Sequence, residues 1–447
     1  MNKKSITDFL SGEYKEFAMY TIENRAIPSC IDGFMSSHRK ILYISNKVWK
    51  NGNEKTLKVF QLAGKIASDS FYHHGNQSLE NSIINTTQHF KNNAPLLEED
   101  GQFGSLRSPK AGASRYIGTK LSDNFRLIYK DFELLEHKEE EGEVIEPKYF
   151  LPIIPTILVN GSQGIAVGFA SKILNRNVND IINACQELLK GKKINEIPPS
   201  LNGFKGTYKQ DEENNKKWYI TGLFEKVNTT TIKITELPIS MTYEKYEKIL
   251  DKLIDNKKIV SYEDNCKDNV NYVIKLKRSV LGKMQDDDII KLLKLQETSH
   301  EIFTTLDESG SLKIFESSKE IIEYFVKFRL KYYSKRKKHI LNKLDKEYKL
   351  LNNKSIFIKA ILDNKLKINN VPKSKIIEGI EKLKLDKIDN SYDYLLRMPI
   401  YSLTKELFEK IKKDLILKKK EISILEKTAP KTMYNKDLRD LKKKFKV

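Results

Sequence analysis

The residue types and spacing most suited to chemistry lie at Ala113-Ser114-Arg115-Tyr116, about a dozen positions past a glycine-rich GQFGS turn at 101–105. A phenol titrates near 10 and is a poor nucleophile at neutral pH, unless cations favour the phenolate and steady a pentavalent phosphorus. Arg115 is covalently placed to supply such a charge. The same dipeptide is also how a surface cation sits beside a half-buried ring, and the chain has 21 tyrosines. The window therefore needs support from the elements around it.

Those elements change character along the chain. From about 28 to 135 the pattern is helical with short loops, and 58–68 followed by 76–90 reads as a helix-turn-helix whose second helix suits a groove. Two adjacent helices are also ordinary packing. Between 140 and 312, short β-branched runs at 218–221, 230–234 and 272–276 alternate with amphipathic stretches such as 243–254, which predicts an α/β region. From 316 onward, Ile321, Phe325, Phe328, Tyr332, Leu341, Leu344, Tyr348 and Leu351 follow spacings of three and four through much of a heptad-like seam. Leu403, Leu407, Ile411, Leu415, Ile422 and Leu425 supply an antiparallel partner, with a less regular stretch at 355–396 between. On periodicity alone this is a helical hairpin within one chain.

Eighty Lys and Arg against 60 Asp and Glu leave a net charge of +20 over 447 residues, which suits a polyanion. A lysine-rich, AT-biased genome inflates the same count. Length implies two to four domains, and 39% hydrophobic with 10% aromatic residues is enough for sizeable cores. The three cysteines, Cys30, Cys185 and Cys266, form no close pair and have no histidines at zinc spacing, so neither a disulfide framework nor a structural metal is expected. The amino terminus lacks an apolar signal core, and the apolar stretch 153–170 is interrupted by Pro155, Asn160, Ser162 and Gln163. A cytoplasmic protein without a membrane span is the expectation.

Four ordered segments carry a family resemblance: YTIENRAIPSCIDGFMSSHRKILY at 20–43, QLAGKIASDSFYHHGNQSL at 61–79, GQFGS with GASRYI at 101–117, and LPIIPTILVNGSQGIAVGFASKI at 151–173. A fifth runs from 306 to 337, followed by LRMPIYSLTKE at 396–406. Together they resemble the DNA-cleaving A-type subunit of type IIA DNA topoisomerases, in the pattern of the medium subunits of T-even-type phages. The resemblance implies an α+β multidomain chain. Its parts are an amino-terminal arm at 1–27, a winged-helix cleavage domain at 28–139, an α/β tower at 140–315, a coiled coil with a dimerising exit gate at 316–430, and a basic tail at 431–447.

By the same resemblance Tyr116 is the nucleophile that forms a 5′-phosphotyrosyl link to double-stranded DNA, and Arg115 assists it. Arg25, His38, Arg39 and Lys40 match the basic set that clamps phosphates. The family often carries arginine where Lys40 stands, which turns a bidentate contact into a point charge. Ile31 and Met35 stand where bacterial relatives carry basic residues. His74 of YHHG matches the histidine near the active site, while His73 falls at a variable position. Ile165 matches the isoleucine that wedges between base pairs; flanked by glycines, it also reads as core. Magnesium held by a Toprim acidic cluster and ATP held by a GHKL-type site are implied, and neither pattern is found here, so a partner chain or chains must bring both. Asp286, Asp287 and Asp288 read as a helix start rather than metal ligands. The absence of a wrapping domain after the lysine-dense end favours relaxation and decatenation over gyrase activity. Two alternatives stay open: a DNA-binding architectural protein without cleavage, and a cleavage chain of the topoisomerase IV or gyrase type.

Overall fold

The computed structural model describes residues 5–50, 55–267, 269–388, 390–399, 401 and 403–445. It divides into two compact units, Met1–Arg329 with Asp437–Val447, and Leu330–Lys436.

In the first unit, residues 6–26 form a run of α- and π-turns kinked at Gly12. Three helices follow: α1 (Ser36–Val48), α2 (Val59–Asp69) and α3 (Asn76–Thr87). Leu62, Ala63 and Ile66 lie on one face of α2 and are buried with Ile41, Leu42 and Ile44 of α1 and Leu79 and Ile83 of α3, the helical period that the sequence shows. The strands β1 (Leu57–Lys58), β2 (Leu97–Asp100) and β3 (Gly118–Leu121) form an antiparallel sheet in the order β1-β3-β2. Phe34, Phe125, Tyr129 and Phe150 pack ring on ring nearby, with centroids 4.9 to 6.3 Å apart for the contacting pairs.

Two hairpins come next, β4 (His137–Glu140) with β5 (Glu143–Pro147), and β6 (Ser162–Ile165) with β7 (Ala170–Ile173). The strands β8 (Thr207–Gln210), β9 (Lys217–Thr221), β10 (Leu223–Lys226), β11 (Thr231–Glu236), β12 (Ser261–Asp264), β13 (Tyr272–Lys275) and β14 (Gln296–His300) build two antiparallel sheets, ordered β14-β9-β8 and β10-β11-β13-β12. Alternation decides the buried face: Ile232, Ile234, Tyr272 and Ile274 point inward. There they meet Tyr246, Leu250 and Leu253 of α4 (Tyr243–Asp255) and Ile289 of α5 (Asp286–Leu292). The three aspartates occupy the first turn of α5 while Gln285 is the cap residue, its N–H donating to the Asp288 carboxylate at 3.1 Å. A further hairpin, β15 (Thr304–Leu306) with β16 (Leu312–Ile314), precedes the long helix.

That helix, α6 (Ser318–Leu362), continues into the second unit without interruption. In the second unit Lys337 Nζ donates to the Glu426 carbonyl at 2.7 Å and Lys418 meets Glu347 at 2.9 Å, so α8 (Lys405–Lys427) runs antiparallel to it. Beyond them Phe357, Ala360, Leu366, Tyr392 and Leu395 enclose Ile380 of α7 (Lys373–Lys382) in a separate small core. The lysine-dense segment expected as a tail is a helix, α9 (Pro430–Lys444), because Tyr434, Leu438 and Leu441 recur at helical spacing and are buried. Among the described residues no helix is long and apolar enough to cross a membrane.

Candidate active site

Tyr116 stands two residues before β3, with 67% of its surface exposed. Its side chain projects outward while its backbone is held. The first two amides of α2, which have no partners within their own helix, donate to the loop: Val59 N–H to the Ile117 carbonyl at 3.0 Å and Phe60 N–H to the Ser114 carbonyl at 3.2 Å. Lys58, the residue preceding α2, donates through Nζ to the Tyr116 carbonyl at 2.7 Å. The Arg115 guanidinium lies 4.8 Å from the centre of the Tyr116 ring. The backbone of the tyrosine turn is thus held by a helix amino terminus and a lysine, while the arginine is the cation beside the ring itself.

The rest of the 101–117 loop is pinned at two further points. Gly104 takes a φ of +89°, and an added Cβ would press on the Ser108 carbonyl at 2.8 Å, which explains the glycine of the GQFGS turn. Gln88, just past α3, donates to the carbonyls of Phe103 and Pro109 at 2.7 and 3.1 Å. Arg107 is buried and donates to the carbonyls of Pro238, Leu237 and Met241 at 2.6 to 2.8 Å and to the Glu236 carboxylate at 2.5 Å. The tyrosine loop is therefore tied directly to the end of β11. Lys58, Gln88 and Arg107 escaped the sequence reading, since nothing in their spacing distinguishes them from other polar residues of a helix start or a loop.

A cavity of about 500 Å³ gathers Tyr20, Arg25, Lys40, Tyr72, His73, His74, Lys138, Glu140 and Glu146. Arg25 Nη2 lies 3.3 Å from His74 Nδ1, and its guanidinium is 5.3 Å from the Tyr20 ring centre. Burial holds His74 below the ordinary imidazole range, with the Arg25 charge adding to it. A neutral ring accepting at Nδ1 carries its proton on Nε2, where it can donate. Lys40 is engaged: its ammonium donates to the Ser70 carbonyl and pairs with Glu146 at 3.0 Å. His73 pairs with Glu140 at 3.1 Å.

The structure brings Arg25, Lys40 and His74 together, and turns His38 and Arg39 away from them. Arg39 forms a buried two-pronged pair with Asp32 at 2.8 and 3.1 Å, and Asp32 also accepts from the amides of Phe34 and Phe150. His38 is partly buried and stacks on Phe34 at 6.2 Å, and desolvation pulls its pKa down to about 4. Both lie on the inward face of α1, a placement the basic run of letters did not reveal. Tyr116 and Arg115 are not among the cavity's lining residues. Ile165 is 79% exposed at the end of β6, so it is not core. An added Cβ at the neighbouring Gly164 would overlap the Ala26 carbonyl, so the hairpin packs backbone to backbone beside Arg25. Among the described residues no three His, Cys, Asp or Glu side chains gather as a metal site.

A family model for the A-type chain of DNA gyrase/topoisomerase IV matches residues 25–441. The chain belongs to that family. The DNA topoisomerase medium subunit of Enterobacteria phage T4 is 31% identical, with 99% of this chain and 100% of that protein aligned. DNA topoisomerase 2 of Plasmodium falciparum (isolate K1 / Thailand) is 36% identical over 97% of this chain but 34% of its own length. DNA topoisomerase 2 of Arabidopsis thaliana is 32% identical over 99% of this chain and 33% of its own. The chain thus spans about a third of the length of these topoisomerase 2 relatives. Among solved structures, the Plasmodium falciparum topoisomerase II DNA-binding, cleavage and re-ligation domain is similar with a TM-score of 0.84 at 33% identity, covering 98% of this chain and 64% of that one. The α+β architecture with a long helix is that of this family member.

Proposed function

We propose that this chain is the DNA breakage-reunion subunit of an ATP-dependent type II topoisomerase. Tyr116 Oη attacks the scissile phosphorus as the phenol proton leaves. The bond from phosphorus to the 3′ oxygen breaks, the 5′ end becomes a phosphotyrosyl ester, and the 3′ oxygen takes up a proton. Tyr116 of two copies in a homodimer cuts opposite strands, a second duplex passes, and each 3′-hydroxyl then attacks its ester to free the phenol. Phosphodiester energy is conserved through the cycle, so ATP hydrolysis in a partner chain drives gate motion rather than bond making.

The observation that carries this reading is Tyr116 itself, exposed on a turn whose backbone is clamped by the first turn of α2. Arg115 favours charge on the phenol and the phosphorane. Arg25 and the Nε2 of His74 bind DNA phosphates in the cavity, and Lys40 joins them by exchanging its present partners. Arg39 and His38 hold α1 in place from the inside. Ile165 enters between base steps and bends the duplex. Residues 28–139 act as a winged-helix module, 140–315 as a tower along the DNA, and 316–430 as the coiled coil and exit gate. Magnesium, held by the Toprim domain of a partner chain, would polarise the phosphate.

The test is covalent trapping with supercoiled plasmid, magnesium and the reconstituted partner chain. Wild type should yield linear DNA that carries a residual tyrosyl peptide after detergent and protease, and Tyr116→Phe should yield none. Linked DNA from both would move the chemistry to another residue. Duplex binding without linked DNA from either would leave an architectural protein instead.

A further inference from the structure

The cavity that gathers Arg25, Lys40 and His74 is bordered on one side by a carboxylate-rich hairpin, which also contributes Lys138. Strands β4 and β5 with their turn read HKEEEGEVIEP, and Glu139, Glu140 and Glu146 line the cavity from that side. Their partners differ in kind. Glu146 is 99% buried at the side chain, takes the ammonium of Lys40 at 3.0 Å and lies 3.4 Å from Ser36 Oγ, so it belongs to the packed interior. Glu140 keeps 34% of its side chain in solvent, yet reaches in to His73 at 3.1 Å and stands 3.8 Å from Lys40 Nζ. A carboxylate carried on an open hairpin, with one oxygen toward an imidazole and the other toward an ammonium, has the charge and the reach of a phosphate oxygen in the same place.

We propose that Glu140 is an intramolecular stand-in for a DNA phosphate, a residue that sets how tightly the cavity takes DNA. The inference rests on the reading that Arg25, Lys40 and His74 bind the duplex. In the free chain Glu140 neutralises the rim of the cavity. On binding, a backbone phosphate takes its place, and the Glu140 side chain turns out into solvent while the hairpin backbone stays. His73 is its docking point. A half-exposed pair of this kind is weak enough to be displaced, because solvent screens it and side-chain ordering opposes it. Glu146, buried and shared with Ser36, stays.

The experiment compares binding of a short duplex, by fluorescence anisotropy at moderate salt, among wild type, Glu140→Gln, Glu143→Gln and Arg25→Ala, each checked for an unchanged melting curve. Glu143 is exposed on the same hairpin and outside the cavity lining, so its substitution removes the same charge without opening the cavity. Glu140→Gln should bind about threefold tighter, Glu143→Gln less than about 1.5-fold tighter, and Arg25→Ala more weakly. The gain from Glu140→Gln should shrink when His73→Gln is also present, a coupling that a purely structural carboxylate would not show. Equal effects of Glu140→Gln and Glu143→Gln, with Arg25→Ala still weakened, would overturn the stand-in and leave the cavity as a DNA site. Unchanged binding by Arg25→Ala would overturn the cavity reading, and the stand-in with it.

Discussion

Burial keeps His38 uncharged, and that couples unfolding to protons. Its ordinary value of 6.5 falls to about 4 in the fold. Below pH 6.5 the unfolded chain therefore takes up a proton that the folded chain refuses, and stability drops as pH falls toward 4. Above 6.5 the contribution is flat. By pH 5 the loss from this one ring is on the order of 2 kcal/mol. Melting curves between pH 7 and 5 should show a steeper decline for wild type than for His38→Leu, and parallel curves would sink the assignment. The Arg39 to Asp32 pair makes a second test at this scale. Removing one partner leaves a buried charge alone, so Asp32→Ala should lose about 3–5 kcal/mol in urea unfolding. A loss below about 1 kcal/mol would mean that water reaches the pair.

At the scale of elements, the exposed Ile165 lets the proposed wedge be tested apart from the fold. An aliphatic side chain that is 79% exposed contributes little to stability, so Ile165→Ala should stay within about 0.5 kcal/mol of wild type. The same variant should bend a duplex less, read as a longer end-to-end distance by energy transfer between dyes. An unchanged bend would remove the wedge role. The sequence reading was strongest where a pattern repeats: 58–68 and 76–90 emerged as α2 and α3, and 218–221, 230–234 and 272–276 emerged as β9, β11 and β13, with ends shifted by at most three residues. It was weakest where a letter has no period to place it. Nothing local distinguished an inward Arg39 from an outward Arg25, since that is decided by where Asp32 lies in space. Arg107 was illegible for the same reason, as its carbonyl partners come from a strand end about 130 residues away. The lysines of α9 masked the buried stripe of Tyr434, Leu438 and Leu441.

For the whole molecule, a charge of +20 predicts that duplex affinity falls steeply and linearly on a log–log plot of binding against salt. A shallow slope would mean that the excess lysine is solvated surface without phosphate contacts. The division into two compact units makes a calorimetric prediction as well. Each unit has its own core, so heating should give more than one transition. Ile380→Ala empties the centre of the smaller core and should lower one transition alone, by the equivalent of about 2–5 kcal/mol. A single transition moved as a whole would show that the two units unfold as one.

The clamped turn beneath Tyr116 bears on the hazard of the proposed reaction rather than its rate. Two amides of α2, the Lys58 ammonium and the Arg107 anchor hold that turn by its carbonyls and flank. Once a 5′ phosphate is esterified to the phenol, the broken end inherits those anchors. Rejoining then works at the high effective molarity of a tethered reaction rather than at the concentration of a freely diffusing end. The same backbone bonds that aim the nucleophile would thereby keep a severed chromosome from drifting apart.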